Sequence, residues 1–507
     1  MKTAHTSALM NSTNTSFPLP LFNLYLLHSI PISHSIYSSK LSLQSPLCPL
    51  SLFSLILLNL WFLGMGRVTV NSRLTVVSSK PVGPGVTHKL SGLDHAMGLH
   101  TIHMIFYYGN NPATSFDLDP FRVSLSEVLT MYPAVTGRLI RGEDGNWVVN
   151  CNDAGVRVLR ATVRTTLDEW LRSADGAEER DLTVWEDMAQ DPTIWSPFRI
   201  QINEFEGGGI AIGLSCTHLH ADPTCATLLL KSWSEAHRRE AIAHPPFFHS
   251  SALRGRPVLN TKTKSANYYA AKSKAKPPSV KMAATTFRFS DSSIKQCLEE
   301  VHESCPDATP FDLLAALFWT SLAPMKSPAP DHKHSLSICI DFRKLMHAPL
   351  PYGYFGNALH FSLLSRDREE IDNGRLGHVT GLVHEHVSSI NEEECQSVID
   401  WLESQKGEGG KFGAPFRMYG PELTCVSMEH MVIPRGYAGM FKDAKPVHIA
   451  CHVGNVEGEG LIMVLPSPEE GLARTVMVTL PEEQMAKLCK DQAILRLEPT
   501  VVACGRQ

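Results

Sequence analysis

Twelve cysteines are spread over 507 residues and no two stand as CxxC. The spacing of a zinc knuckle, a dithiol redox site or a disulfide framework is therefore missing, and a reducing compartment is the simpler expectation. Acidic residues are absent from the first 64 positions and again between Glu240 and Asp291. Over the whole chain neither sign of charge dominates: the formal net charge is -5, which makes no field able to gather nucleic acid, so no nucleic-acid partner is expected. No internal repeat is found. Histidine is plentiful, with pairs at His384 and His386 and at His448 and His452. None of these joins cysteine or carboxylate at ligand spacing, and no metal is expected.

Residues 1–64 carry two lysines, many Ser, Leu and Pro, and an apolar run from Leu50 to Leu63. The run is short for a membrane span, is interrupted by Ser51, Ser54 and Asn59, and lies too far from the terminus for an ordinary signal peptide. Arginine is too scarce for a transit peptide. Gly66 does not mark a myristoylation site, because Val70 stands where Ser or Thr is needed. The expectation is a non-domain leader, disordered or not translated, with Met65 as the working start; a loose membrane anchor is the rival reading.

What is present beyond residue 65 is globular material, 43% apolar and 19% charged, with length for two cores. Short apolar or alternating runs recur between helical patterns: Ile102 to Tyr108, Trp147 to Val149, Ile200 to Ile202, Ile210 to Cys216, Ser335 to Ile340, Leu461 to Leu465 and Thr475 to Leu480. Strands mixed with helices predict a layered α/β fold. The acid-free stretch holds Arg254, Arg256, Lys262, Lys264, Lys272, Lys274, Lys276 and Lys281 among Pro, Ser, Ala and Asn. It reads as a solvated crossover, with a patch for anionic lipid or coenzyme A phosphates as the alternative. The expected division is a domain over 65–245, a linker over 246–281 and a second domain over 282–500. Lys406 to Gly413 is a further loop rich in Gly and Lys.

Chemistry concentrates where the strand ending in Leu214-Ser215-Cys216-Thr217-His218 meets Asp222 and Pro223. Alternation places Ile210, Ile212, Leu214, Cys216 and His218 on one face. Ala226, Leu229, Leu230, Trp233 and Ala236 then recur at helical spacing, which makes Asp222 an N-cap and Pro223 the first helical residue. An imidazole at such an edge suits a general base, since its free pKa near 6.5 lets it take a proton from an alcohol or amine attacking a thioester. The plainer alternative is a packed core histidine, and capping alone accounts for Asp222. His220 shares the strand parity of His218, and Cys216 and Thr217 are candidate lining residues.

Several landmarks in order resemble the plant BAHD acyltransferases: Leu90-Ser91-Gly92-Leu93-Asp94, Tyr132-Pro133-Ala134-Val135-Thr136-Gly137-Arg138-Leu139, His218 to Asp222, Thr309-Pro310-Phe311-Asp312-Leu313-Leu314-Ala315-Ala316, Asp341-Phe342-Arg343 and Tyr354-Phe355-Gly356-Asn357. The resemblance covers roughly residues 67–500. It implies two α/β domains of the chloramphenicol-acetyltransferase kind, mixed sheets flanked by helices, with a channel at their interface. It implies His218 as general base, Asp222 and Arg343 as structural residues at the site, acyl-CoA as a substrate and no permanently bound cofactor. The family's Asp-Phe-Gly-Trp-Gly before Lys-Pro-Val is replaced by Met440-Phe441-Lys442-Asp443-Ala444 before Lys445. Arg343 then loses the aspartate that the family pairs with it and needs another partner or water. Pro223 also replaces the usual glycine, and both changes weigh against turnover.

Phe412 to Cys425, Cys451 to Gly460 and Pro466 to Arg474 are similar to the eceriferum and glossy clade of that family. This similarity implies a monomer that assists a 3-ketoacyl-CoA synthase in elongating very-long-chain fatty acids for cuticular wax. The expected place is the cytosolic face of the endoplasmic reticulum, with the cytosol as alternative. An active O- or N-acyltransferase using His218 is the competing expectation, and a binding role elsewhere is a third.

Overall fold

The computed structural model describes residues 66–109, 117–248, 253–326, 332–347, 349–430, 439–441, 445–469 and 471–502. The leader lies outside them, as do Lys442, Asp443 and Ala444 in the altered motif.

Strands run in the order β1 (Val68–Val76), β2 (Thr87–Lys89), β3 (Thr101–Tyr108), β4 (Arg138–Arg141), β5 (Trp147–Asn150), β6 (Val156–Val163), β7 (Phe198–Phe205) and β8 (Ile210–Thr217). They continue with β9 (Met282–Phe289), β10 (Lys333–Asp341), β11 (Leu359–Asp367), β12 (Thr424–Ser427), β13 (Pro446–Val453), β14 (Leu461–Pro466), β15 (Arg474–Pro481) and β16 (Thr500–Val502). One mixed sheet has the order β1-β6-β7-β8-β3-β13 and the other β11-β10-β12-β14-β15-β9-β16, while β2-β5-β4 form a small third sheet. Each apolar run singled out in the sequence falls inside one of these strands. β8 is buried at every position, and the small Ser215 and Thr217 are its polar side chains.

β13 comes from the C-terminal half yet pairs antiparallel with β3, from His448↔Tyr107 to Val453↔Ile102. The first sheet is therefore completed by chain that follows most of the second. A single apolar cluster continues across, from Phe198 and Trp233 through Tyr269 and Trp401 to Phe361 and Met477. Each such side chain contributes about 1.5–3 kcal/mol by leaving water. A second cluster surrounds the helix Pro310–Leu322. Thr309 and Asp312 form its capping box and Pro310 sits in its first turn, where the missing N–H costs nothing.

The stretch expected to be a solvated crossover is docked in part. Residues Lys264–Lys272 form a helix capped by Thr263, with Tyr269 and Lys272 each 1% exposed. Lys272 Nζ reaches Glu422 Oε2 at 2.6 Å, and Arg256 pairs with Glu393 and with Asp400, each at 2.7 Å. These acidic partners lie more than a hundred residues downstream, so local composition could not reveal them.

Candidate active site

β8 ends at Thr217, and the chain turns through His218 to Asp222 into the helix Pro223–His237. Asp222 has extended backbone angles, and its Oδ1 accepts from the Cys225 N–H at 3.0 Å, which satisfies one of the helix's free donors. The His218 N–H donates to the His100 carbonyl at 2.9 Å. The His218 carbonyl in turn accepts from Asn357 Nδ2 at 2.8 Å, and the same amide donates to Asp94 Oδ1 at 2.7 Å. Three stretches distant in sequence, Leu90 to Asp94, the histidine turn and Tyr354 to Asn357, are thus joined at one carboxamide.

Arg343 is not left without an acid. Its Nη2 lies 2.8 Å from Asp222 Oδ2 and its Nη1 2.7 Å from Asp341 Oδ2, and Nη2 also donates to the Gly356 carbonyl at 2.9 Å. Burial by itself lowers the affinity of Arg343 for its proton, but Asp222 and Asp341 outweigh it and the guanidinium stays charged. Asp222 Oδ2 further accepts from the Ala358 N–H at 3.0 Å. The described partners of the Asp222 carboxylate are thus two amides and Arg343.

The His218 ring has no exposed surface. Its Nε2 is 3.0 Å from the Tyr419 hydroxyl, and Tyr419 is itself 1% exposed. Among the described residues Nδ1 of His218 and Oδ1 of Asn357 each lack a partner of good hydrogen-bond geometry, yet the Asn357 side chain is near enough to favour ring protonation. The tautomer that wastes least has the Tyr419 O–H donating to Nε2 and the ring proton on Nδ1, facing Asn357. Burial pushes the pKa of His218 down to about 4, against smaller opposing contributions from the main chain and Asn357. The sequence predicts an imidazole presented to a channel; in this structure the ring is buried, with the Tyr419 hydroxyl against its Nε2. A cavity of about 300 Å³ lined by Thr217, Leu219, His95, Trp147 and Phe412 reaches the residues on either side of His218 without including it.

The other candidates lie elsewhere. His220 is fully buried, its ring edge-on to Phe198 with centroids 5.1 Å apart, and neither ring nitrogen has a hydrogen-bond partner among the described residues. Cys216 packs in the core, its thiol pushed well up by burial. His452 binds Glu179 at 2.8 Å, His384 binds Asp312 at 2.9 Å and His386 meets Ser362 at 2.8 Å. Among the described residues no group of His, Cys, Asp or Glu is placed to hold a metal ion. Tyr419, Asn357 and His100 were missed as site residues. Asn357 falls in the Tyr354 to Asn357 landmark and Tyr419 in the Phe412 to Cys425 stretch, where nothing local marks it as more than a core aromatic.

Two mixed sheets flanked by helices, with a histidine–aspartate turn where the two halves meet, make up the acyltransferase fold. The chain belongs to the plant BAHD acyltransferases: the model of the Transferase family matches residues 66–495. Acyl-CoA is the substrate of this family, which holds no permanent cofactor. The chain is 26% identical to hydroxycinnamoyltransferase 1 of Oryza sativa subsp. japonica over 409 residues, 77% of this chain and 91% of that protein. It is 25% identical to protein ECERIFERUM 26-like of Arabidopsis thaliana over 435 residues, 84% of this chain and 95% of the relative. The crystal structure of vinorine synthase shares the fold, with a TM-score of 0.65 at 20% identity, over 85% of this chain and 98% of that one.

Proposed function

We propose that this protein uses the acyltransferase fold to assist elongation of very-long-chain fatty acids for cuticular wax. It works with a 3-ketoacyl-CoA synthase at the cytosolic face of the endoplasmic reticulum and binds acyl-CoA or its long acyl chain. The observation that carries this reading is the 3.0 Å contact between Tyr419 and His218 Nε2. A general base must offer that lone pair to an acceptor, and here it is engaged by a buried phenol. A conjugate acid with a pKa of about 4 is also a poor match to proton abstraction from an alcohol near neutral pH. The eceriferum-like stretches, one of which supplies Tyr419 itself, and the similarity to ECERIFERUM 26-like point the same way. Co-expression with a condensing enzyme in yeast, with fatty acids profiled by mass spectrometry, tests it. Longer chains are expected with both the native protein and His218→Ala, and loss of the effect in His218→Ala defeats the reading.

The second reading is an acyltransferase moving an acyl group from coenzyme A to an alcohol or amine with His218 as base. It is favoured by the intact turn from His218 to Asp222 and by the similarity to a hydroxycinnamoyltransferase. Release of coenzyme A that depends on both an acceptor and His218 is its signature.

A further inference from the structure

Away from His218 a second site is built across β1, β6 and β7. Phe198 and Ile200 register with Cys216 and Leu214, the row that runs toward His218. Arg199 alternates with them and so points to the opposite face. There it stands beside Arg157 in the parallel pairing of β6 and β7, and Arg157 stands opposite Thr75 on β1. Like charges directly across a pair of strands are destabilising. Arg73, two positions from Thr75, brings a third guanidinium, and these residues line a cavity of about 340 Å³ with Leu74, Leu159, Val184 and Glu186.

A fourth cation lies behind. Arg138 is 2% exposed, and its described partners are all carbonyl oxygens, those of Thr136, Gly137, Ala154 and Gly155. Burial, reinforced by Arg157 and Arg199, pulls its pKa down to about 10. Against this the cavity wall has, among the described residues, a single carboxylate. Glu186 Oε2 lies 3.1 Å from Arg199 Nη2 and Oε1 lies 3.9 Å from Arg73 Nη1. Arg157 Nη1 donates to the Thr75 hydroxyl. The Glu186 backbone is pinned, its carbonyl accepting from Trp195 Nε1 at 2.8 Å and from Arg199 Nη1 at 3.2 Å. Its side chain is 59% exposed, whereas that of Arg199 is 3% exposed.

We propose that this arginine-lined cavity binds a phosphate-bearing ligand, with the Glu186 carboxylate occupying the anion's place and swinging into solvent when the ligand arrives. Forked guanidinia match the oxygens of a tetrahedral dianion. Arg199 is fixed for the task by burial and by its position over the Trp185 and Trp195 rings, 5.2 and 5.6 Å from their centroids. The same chemistry fits the headgroup of an anionic phospholipid or a free phosphate. The site shares no residue with the His218 turn and stands whichever function is correct.

The test uses the full chain, titrated calorimetrically with inorganic phosphate and floated with phosphatidylcholine vesicles with and without phosphatidic acid. Binding of phosphate, or of vesicles only when phosphatidic acid is present, supports the proposal; the vesicle arm alone identifies a lipid headgroup, and the phosphate arm shows that a soluble anion suffices. Arg157→Gln, at an exposed position, is expected to weaken binding roughly tenfold, the worth of one charge-assisted hydrogen bond. Glu186→Gln removes the internal competitor and is expected to tighten it. Absence of binding in both arms overturns the proposal, and so does binding that neither substitution alters.

Discussion

Arg343 and Asp222 meet at 2.8 Å with side chains 3% and 0% exposed, and Asp341 holds the other arm of the same guanidinium. Two carboxylates from within the landmarks thus secure the arginine that the altered motif was expected to leave unmatched. Removing the cation strands two buried acids, one of which caps the helix that follows His218. Arg343→Gln is expected to cost about 3–5 kcal/mol of folding stability. Urea unfolding is the measurement, and a loss under about 1 kcal/mol would show the pairing to be incidental.

Several histidines make the fold acid-sensitive. Burial holds the folded-state pKa of His218 to about 4 and that of His220 to about 3, below the free value of 6.5. The unfolded chain binds the proton at the higher pH, so stability rises with pH across this window. The contribution is complete above about 6.5 and is lost as pH falls toward 4 and below. Among the described residues His220 has no hydrogen-bond partner for its ring to lose, and it is flanked by Phe198 and Phe355. His220→Phe is therefore expected to reduce the pH dependence of stability between pH 6.5 and 4 by about 1.4 kcal/mol per pH unit, one proton's worth. Melting temperatures recorded through that range decide it; parallel curves for the two proteins would contradict the account.

Local rules made the histidine turn legible. Alternation along β8 and the preference of Asp and Pro for the first positions of a helix act within a few residues, so His218, Asp222 and Pro223 could be placed from sequence alone. The strands buried on both faces were visible for the same reason. What remained hidden depends on long-range closure: Tyr419 meets His218 across 201 positions and Asn357 across 139. The pairing of β13 with β3 and the grip of Glu422 on Lys272 likewise carry no local signature. The sequence therefore indicated where an imidazole would stand and left unstated that a phenol would cover it.

Gly213 marks a close approach that no polar pattern announces. It lies in the middle of β8, and a Cβ added there would collide with the Leu182 carbonyl, a backbone atom, and crowd Thr183. Both Gln201 and Asn203 of β7 tie themselves to this segment through the Asp181 and Leu182 carbonyls, at 2.8 and 2.9 Å. The overlying chain therefore cannot shift without breaking them. Gly213→Ala is expected to destabilise by about 1–3 kcal/mol or more, the usual range for overpacking, and to raise proteolytic cleavage near residues 181–187. Unchanged stability and an unchanged digestion pattern would mean that the segment floats free of β8.

The covering of His218 by Tyr419 is itself open to test. In Tyr419→Phe the ring volume persists, but Nε2 loses its donor in a buried site. A buried acceptor left unsatisfied costs about 1–3 kcal/mol, so the variant should be less stable than the native protein by about that amount. On the proposed function its turnover of acyl-CoA should stay at background, because the phenylalanine keeps the ring buried. Nitrogen NMR of the imidazole adds a readout that a packing defect would not move. Native His218 should carry its proton on Nδ1, with Nε2 shifted by the Tyr419 hydrogen bond, and the substitution should abolish that shift. A native spectrum with the proton on Nε2 would reverse the donor and acceptor and return the nitrogen's lone pair to Nδ1, beside Asn357. The general-base assignment would then pass to a different ring atom, and the reason given for silence at Nε2 would fail.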